Sequence, residues 1–165
     1  MPRAMAVLLV VYSYWSIQEN LAHLPARIPT RFNWAGEPTA WSSPHQLWVL
    51  LGVQIFGIAL FWVIPALGRR FPQTVNLGWR RLSDFTPEER ERIMPMLEEM
   101  CGWLGLLFSF LFSFLIRDLI RVALSPGARA HSWPVGVFLA GCAVVLIYYL
   151  RRMNREASPD ARTGT

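Results

Sequence analysis

Long apolar runs alternate along this chain with short connections rich in arginine. The first run, Ala4 to Ile17, follows Arg3 and holds fourteen residues, which as a helix rise only ~21 Å against a hydrocarbon core about 30 Å thick. It must extend through Gln18, Glu19 and Asn20, or the bilayer must thin around it. No small-x-small cleavage site follows, so this run reads as a membrane anchor rather than a cleaved signal peptide. The second run, Gln46 to Gly68, carries no charge over twenty-three residues and ends in Arg69 and Arg70, a stop-transfer pattern. A third starts at Cys101 and reaches about Leu124, with Arg117, Asp118 and Arg121 in its last third. The fourth, Trp133 to Leu150, has Trp133 at one border, Tyr148 and Tyr149 at the other, and Arg151 and Arg152 behind them.

These runs predict an all-α integral membrane protein, a four-helix transmembrane bundle with a short extracytoplasmic loop or hairpin after helix 1. A single transmembrane domain covers 1–152, with helices about 4–22, 46–68, 101–124 and 133–151 and an outer loop at 23–45. Residues 69–100 form a cytoplasmic connection. Within it Thr86-Pro87-Glu88-Glu89 starts a short helix at 87–99, with Thr as cap and Glu89 completing a capping box, and its Ile93, Met96, Leu97 and Met100 let it either lie on the inner leaflet or lead directly into the third helix. Residues 153–165 read as a disordered cytoplasmic tail.

Composition agrees with lipid as the solvent. The 165 residues are 53% hydrophobic and 16% charged, where a soluble domain carries about 25% charged residues. All sixteen basic residues are Arg. With the N-terminus inside, eleven lie on the cytoplasmic side, Arg80 and Arg162 among them, and three (Arg27, Arg31, Arg129) outside, leaving out Arg117 and Arg121. The asymmetry predicts a bacterial cytoplasmic (inner) membrane protein with both termini in the cytoplasm. The net charge of +5 then belongs to the bilayer surface, so the lipid bilayer is the expected partner and nucleic acid is not.

Little else points to chemistry. Cys101 and Cys142 fall at different membrane depths, too far apart for a disulfide. His23, His45 and His131 share the outer side but show no ligand-type spacing, and there is no Gly-rich phosphate loop, paired-carboxylate signal or Cys-x-x-Cys. No catalytic residue, metal or cofactor is assigned, and the chain is not expected to be an enzyme. Cys101, Gly105, Ser109, Ser113 and Arg117 recur every four residues, a face that lets another helix approach and hydrogen-bond to the serines. Gln54 has the same reading, an interhelical hydrogen bond.

Arg117, Asp118 and Arg121 are the only charges inside an apolar run, and each costs roughly 2.5 to 3.5 kcal/mol at a helix centre. Either the arginines snorkel to headgroups while Asp118 pairs with Arg121, or the three face a polar cavity and bind a ligand together with Glu19 or Glu37. Leu24 to Pro38 is too polar to cross and too patterned to be a linker. Its prolines force extended backbone, and Gly36 supplies a turn between Phe32-Asn33-Trp34 and Thr39-Ala40-Trp41, so a small hairpin or compact loop is predicted. Arg31, Asn33 and Glu37 on it are candidate ligand-binding residues beside Arg117, Asp118 and Arg121.

Leu24, Pro25, Ile28, Pro29, Asn33, Gly36 and Glu37 give this segment its character, and there the chain resembles the bacterial domain of unknown function 1648. That family includes the immunity protein against the sporulation-delaying toxin and shows a motif similar to LPxxIPxHxNxxGE after a first helix. Arg31 stands where the family usually has His, and Thr39 or Ala40 where an acidic residue often follows. The resemblance implies a polytopic membrane protein. For the best-known relatives it implies toxin immunity or signalling, hence an extracytoplasmic peptide, toxin or envelope ligand as partner. A small transporter or transporter accessory subunit is the alternative, and a membrane enzyme a more distant one; the sequence leaves the oligomeric state open.

Overall fold

Apolar stretches of this length can satisfy their backbone only as helices when lipid is the solvent, and the chain is mostly helical. The computed structural model describes residues 1–77, 81–125 and 127–156. Arg80 and the tail from 157 to 165, with Arg162, lie outside the described residues. The order is α1 (Pro2–Asn20), β1 (Ile28–Phe32), β2 (Pro38–Ser42), α2 (Gln46–Arg70), α3 (Pro87–Leu124) and α4 (Trp133–Glu156), with 3₁₀ turns at Leu21–His23, Pro72–Thr74 and Leu82–Asp84.

Boundaries differ from expectation in three places, each for a visible reason. The first helix begins earlier and ends at Asn20, because Pro2 fits a helix's first turn and the next residues tighten into a 3₁₀ turn. No break separates a short cytoplasmic helix from the third apolar run. Thr86 and Glu89 form the capping box, and one helix of 38 residues runs from there through Pro95 to Leu124. The fourth helix continues to Glu156, since Met153 is buried in the same cluster as Met94, Leu97 and Tyr149 and holds the extra turn in place.

The long α3 is the axis against which the others pack. Half of its most apolar stretch is buried (50%), against 11% for α4, whose outward face is left to lipid. Beside it α1 runs parallel, with Pro2 against Gly102 and Ile17 packed into the same cluster as Ile116 and Ile120. Antiparallel to it, α2 sets Phe61 against Gly105 and pairs Arg69 with Glu98. Also antiparallel, α4 meets it through Leu107 on Gly141 and through the Phe114 and Trp133 rings, 5.1 Å apart. One end of the molecule therefore carries the hairpin, and the other gathers Arg3, Arg69, Arg70, Arg151 and Arg152.

Three helices, α2, α3 and α4, are long and apolar enough to cross a membrane. Their outward positions include Val53, Phe56, Leu60, Leu139, Val144 and Ile147, all exposed. An apolar surface this extensive fits hydrocarbon and not water, and the chain is a membrane protein on that ground. Inside, Gln54 of α2 is fully buried and its amide N–H groups are shared among the Ser109 carbonyl (3.2 Å), Ser109 Oγ (2.9 Å) and Ser113 Oγ (3.0 Å). Ser109 Oγ donates to the Ala6 carbonyl and Ser113 Oγ to the Leu9 carbonyl of α1, and Ser13 Oγ reaches Ser113 Oγ at 2.8 Å. The four-residue serine spacing thus ties α1 and α2 to α3, as that spacing predicted.

Gly57 tests this packing. A Cβ there would lie 2.2 Å from the Phe108 ring, which is itself stacked against Phe112 at 4.6 Å, whereas at Gly52 nothing lies within 4 Å. Gly57→Val is expected to cost about 1–3 kcal/mol through overpacking. Thermal unfolding in detergent should show a clear drop in midpoint for Gly57→Val and none for Gly52→Val.

Candidate functional site at the hairpin end

The hairpin is built around Asn33. Its Oδ1 accepts hydrogen bonds from the backbone N–H of Ala35 (3.0 Å) and Glu37 (2.9 Å), and its Nδ2 donates to Glu37 Oε2 at 2.9 Å. An asparagine that bonds its own following backbone stabilises a turn. Gly36 completes it with a φ of +77°, a left-handed value that glycine adopts freely. Behind the turn β1 and β2 pair antiparallel, Ile28 opposite Ser42 and Phe32 opposite Pro38, with irregular register around Arg31.

Two residues then fasten the hairpin to the α3–α4 connection. The Ala130 N–H donates to the Gly36 carbonyl at 2.9 Å, and Arg129 pairs with Glu37 Oε1 at 3.0 Å. A Cβ at position 36 would stand 2.4 Å from the Ala130 carbonyl oxygen, so the close approach itself demands glycine. At the base, Ile28 and Pro29 are buried and Leu24 packs beside them, in a cluster with Ile17, Leu47, Ile116 and Leu119. Pro25 is exposed and starts the extended segment.

Asp118 organises the other side of the connection. It is 5% exposed, yet both carboxylate oxygens are saturated. Oδ1 accepts from Arg121 Nε (2.9 Å) and Nη2 (2.7 Å) and lies 3.0 Å from His131 Nδ1, while Oδ2 accepts from the His131 backbone N–H at 2.8 Å. Arg121 Nη2 also donates to the Arg129 carbonyl at 2.6 Å. Asp118 and Arg121 thus hold residues 129–131 in place, and those residues hold the hairpin. A buried carboxylate is tolerable only with such a full set of partners.

The candidate residues separate into distinct groups. Asn33 holds Glu37, which pairs with Arg129, while Asp118 and Arg121 meet His131, and the two groups join through 129–131. Arg117 and Arg31 stand apart, exposed and with no hydrogen bond or ion pair among the described residues, and Glu19 is also exposed. Arg117 nonetheless lines, with Phe114, Asp118, Arg121 and His131, a concavity of about 250 Å³, and Asp118 pairs with Arg121 three residues on. His23, His45 and His131 form no metal-binding group among the described residues. Arg129 and His131 as structural partners were not apparent from spacing. They lie eight to thirteen residues from Asp118 and Arg121, beyond a connection whose path no periodicity reveals.

Between hairpin and helices lies a cavity of about 270 Å³. Phe32, Leu50, Leu115 and Leu119 give it an apolar floor, and Asn33, Gln46, Asp118, His131 and Ser132 give it polar edges. Pockets for whole small molecules run from about 300 to 1,000 Å³, so this one suits a single side chain or the end of a peptide.

Residues 4–55 match the family described as domain of unknown function, DUF1648. The matched segment, 52 of 165 residues, takes in α1, the hairpin and the first part of α2. No curated protein and no solved structure matches it. Within the DUF1648 segment, Asn33, Gly36 and Glu37 have a structural explanation, since they make the turn and bind it to the α3–α4 connection.

Removing the Asp118 carboxylate should free that connection. Asp118→Ala is expected to cost about 3 kcal/mol, because it leaves the Arg121 guanidinium and the His131 N–H without their acceptor. Arg117→Gln should stay within about 0.5 kcal/mol. Equilibrium unfolding of both variants in detergent micelles measures the contrast, and equal losses would contradict the roles described.

Proposed function

We propose that this chain is a four-helix transmembrane protein of the bacterial cytoplasmic membrane, both termini inside, whose hairpin end recognises an extracytoplasmic peptide, toxin segment or envelope component. The crossing of α1 is supported by its parallel run along α3 from Gly102 to Ile120, so that the two share one depth range. The orientation is supported by the gathering of Arg3, Arg69, Arg70, Arg151 and Arg152 at the end opposite the hairpin. A cysteine at position 34 (Trp34→Cys) should react with a membrane-impermeant maleimide in intact cells, and one at 73 (Gln73→Cys) only after lysis. The reverse pattern would overturn the orientation.

Recognition rests on the cavity under the hairpin, an apolar floor ringed by Asn33, Gln46 and His131. Its walls belong to the hairpin, α2, α3 and the α3–α4 connection, and the Gly36–Ala130 and Glu37–Arg129 contacts pin the hairpin to that connection, so it is preformed. A transporter would need a polar file through the helices. The buried polar cluster around Gln54 is local instead, with Leu51 and Ile116 toward the hairpin and Phe61 and Phe108 toward the other end.

The test uses purified protein in phosphatidylcholine nanodiscs and the short-peptide fraction of spent culture medium as probe. A component of that fraction should raise the thermal midpoint of the native protein and leave Thr30→Trp, which fills the cavity from β1, unmoved. A shift in neither protein, or the same shift in both, would remove the reading.

A further inference from the structure

The end opposite the hairpin carries a second concavity, on the lipid-facing side of α4. It measures about 500 Å³ and is lined by Val144, Ile147, Tyr148, Arg151, Arg152 and Arg155. We propose that it binds an anionic phospholipid whose headgroup carries two negative charges.

Charge comes first in the argument. Three guanidinium groups fall within five residues of one helix and all are exposed. Arg152 has an acidic neighbour, Glu99 at 3.9 Å. Arg151 and Arg155 have no ion pair or hydrogen bond among the described residues. They stand four apart, where like charges on a helix oppose each other. A doubly charged anion between them turns that repulsion into two charge-assisted contacts, and phosphate suits guanidinium geometry.

The lower half of the concavity selects the kind of anion. Tyr148 stands one turn below the arginines, and Val144 and Ile147 lie deeper on the same exposed face, none of them covered by another helix. This order of guanidinium, aromatic ring and aliphatic surface follows the layers of headgroup, interface and acyl chain in a leaflet. A soluble phosphate or an acidic peptide leaves the aliphatic half unused. A second copy of this chain, pairing in parallel through the same face, would set one row of arginines against another. The site is independent of the cavity under the hairpin and of which end faces the cytoplasm.

The full chain is reconstituted in phosphatidylcholine containing either phosphatidylglycerol, with one charge, or cardiolipin, with two, at equal total lipid charge. Lipid retained after detergent release is counted by native mass spectrometry. One cardiolipin per chain is expected to remain in preference to phosphatidylglycerol. The Arg151→Gln, Arg155→Gln double variant should hold it on the order of tenfold more weakly, and the corresponding Lys variant should recover part of the preference. Thermal midpoints in phosphatidylcholine alone separate loss of the site from loss of the fold. Equal retention of both lipids, unchanged retention by the Gln variant, or stabilisation by inorganic pyrophosphate matching that by cardiolipin would each overturn the proposal.

Discussion

Gln54 of α2 bonds the serines of α3, and those serines the backbone of α1, because a polar group in hydrocarbon has no water to turn to. Their hydrogen bonds place α1, α2 and α3 at one relative depth, and that depth decides what happens at both ends. With Ser109 fixed against Ala6 and Ser113 against Leu9, the top of α1 arrives beside Ile116 and Ile120, where the hairpin's Ile28 finds its seat. The Gln54 Oε1 is left buried with no partner among the described residues. An unpaired acceptor of this kind costs about 1–3 kcal/mol, so the cluster sets register more than it adds stability. Burying an amide for the sake of a unique alignment is a known use of polar groups in helix packing.

The hairpin end shows how the charges in α3 are accommodated. Asp118 is buried in a helix that otherwise faces lipid and other helices, and it stays compatible with that position because Arg121, His131 and the backbone of 131 surround it. In turn the connection after α3 gains a fixed shape and offers Arg129 and Ala130 to the hairpin. The carboxylate and the hairpin motif are thus mechanically linked although ninety-two residues separate Glu37 from Arg129. The cavity between them exists because both sides are held.

The two ends use arginine differently. At the hairpin end Arg121 and Arg129 are consumed by acidic partners and carbonyls, which leaves the cavity edged by Asn33, Gln46, His131, Ser132 and the already paired Asp118. At the other end Arg151 and Arg155, without an ion pair among the described residues, stand beside an aliphatic surface. The first arrangement rigidifies a small recess, whereas the second leaves charge available to the membrane.

Local sequence settled the apolar helices by run length, the Thr86 capping box by its Thr and Glu89, and the turn at Gly36 by its glycine, because each depends on residues close together in the chain. Spacing also indicated that Ser109, Ser113 and Gln54 would bond across helices, and offered an Asp118–Arg121 pair as one of two readings of the charges in α3. Other features lay beyond it. That the helix from Pro87 leads directly into the third apolar run instead of lying on the inner leaflet, and that α4 persists to Glu156, depends on Met94, Leu97, Tyr149 and Met153 burying one another. That Asn33, Gly36 and Glu37 face the α3–α4 connection, with Arg31 turned away, depends on contacts with residues about ninety positions distant. Local pattern reports which surface a segment must hide; only the packed helices decide against what it is hidden, since that choice is made by shape and partner and not by period.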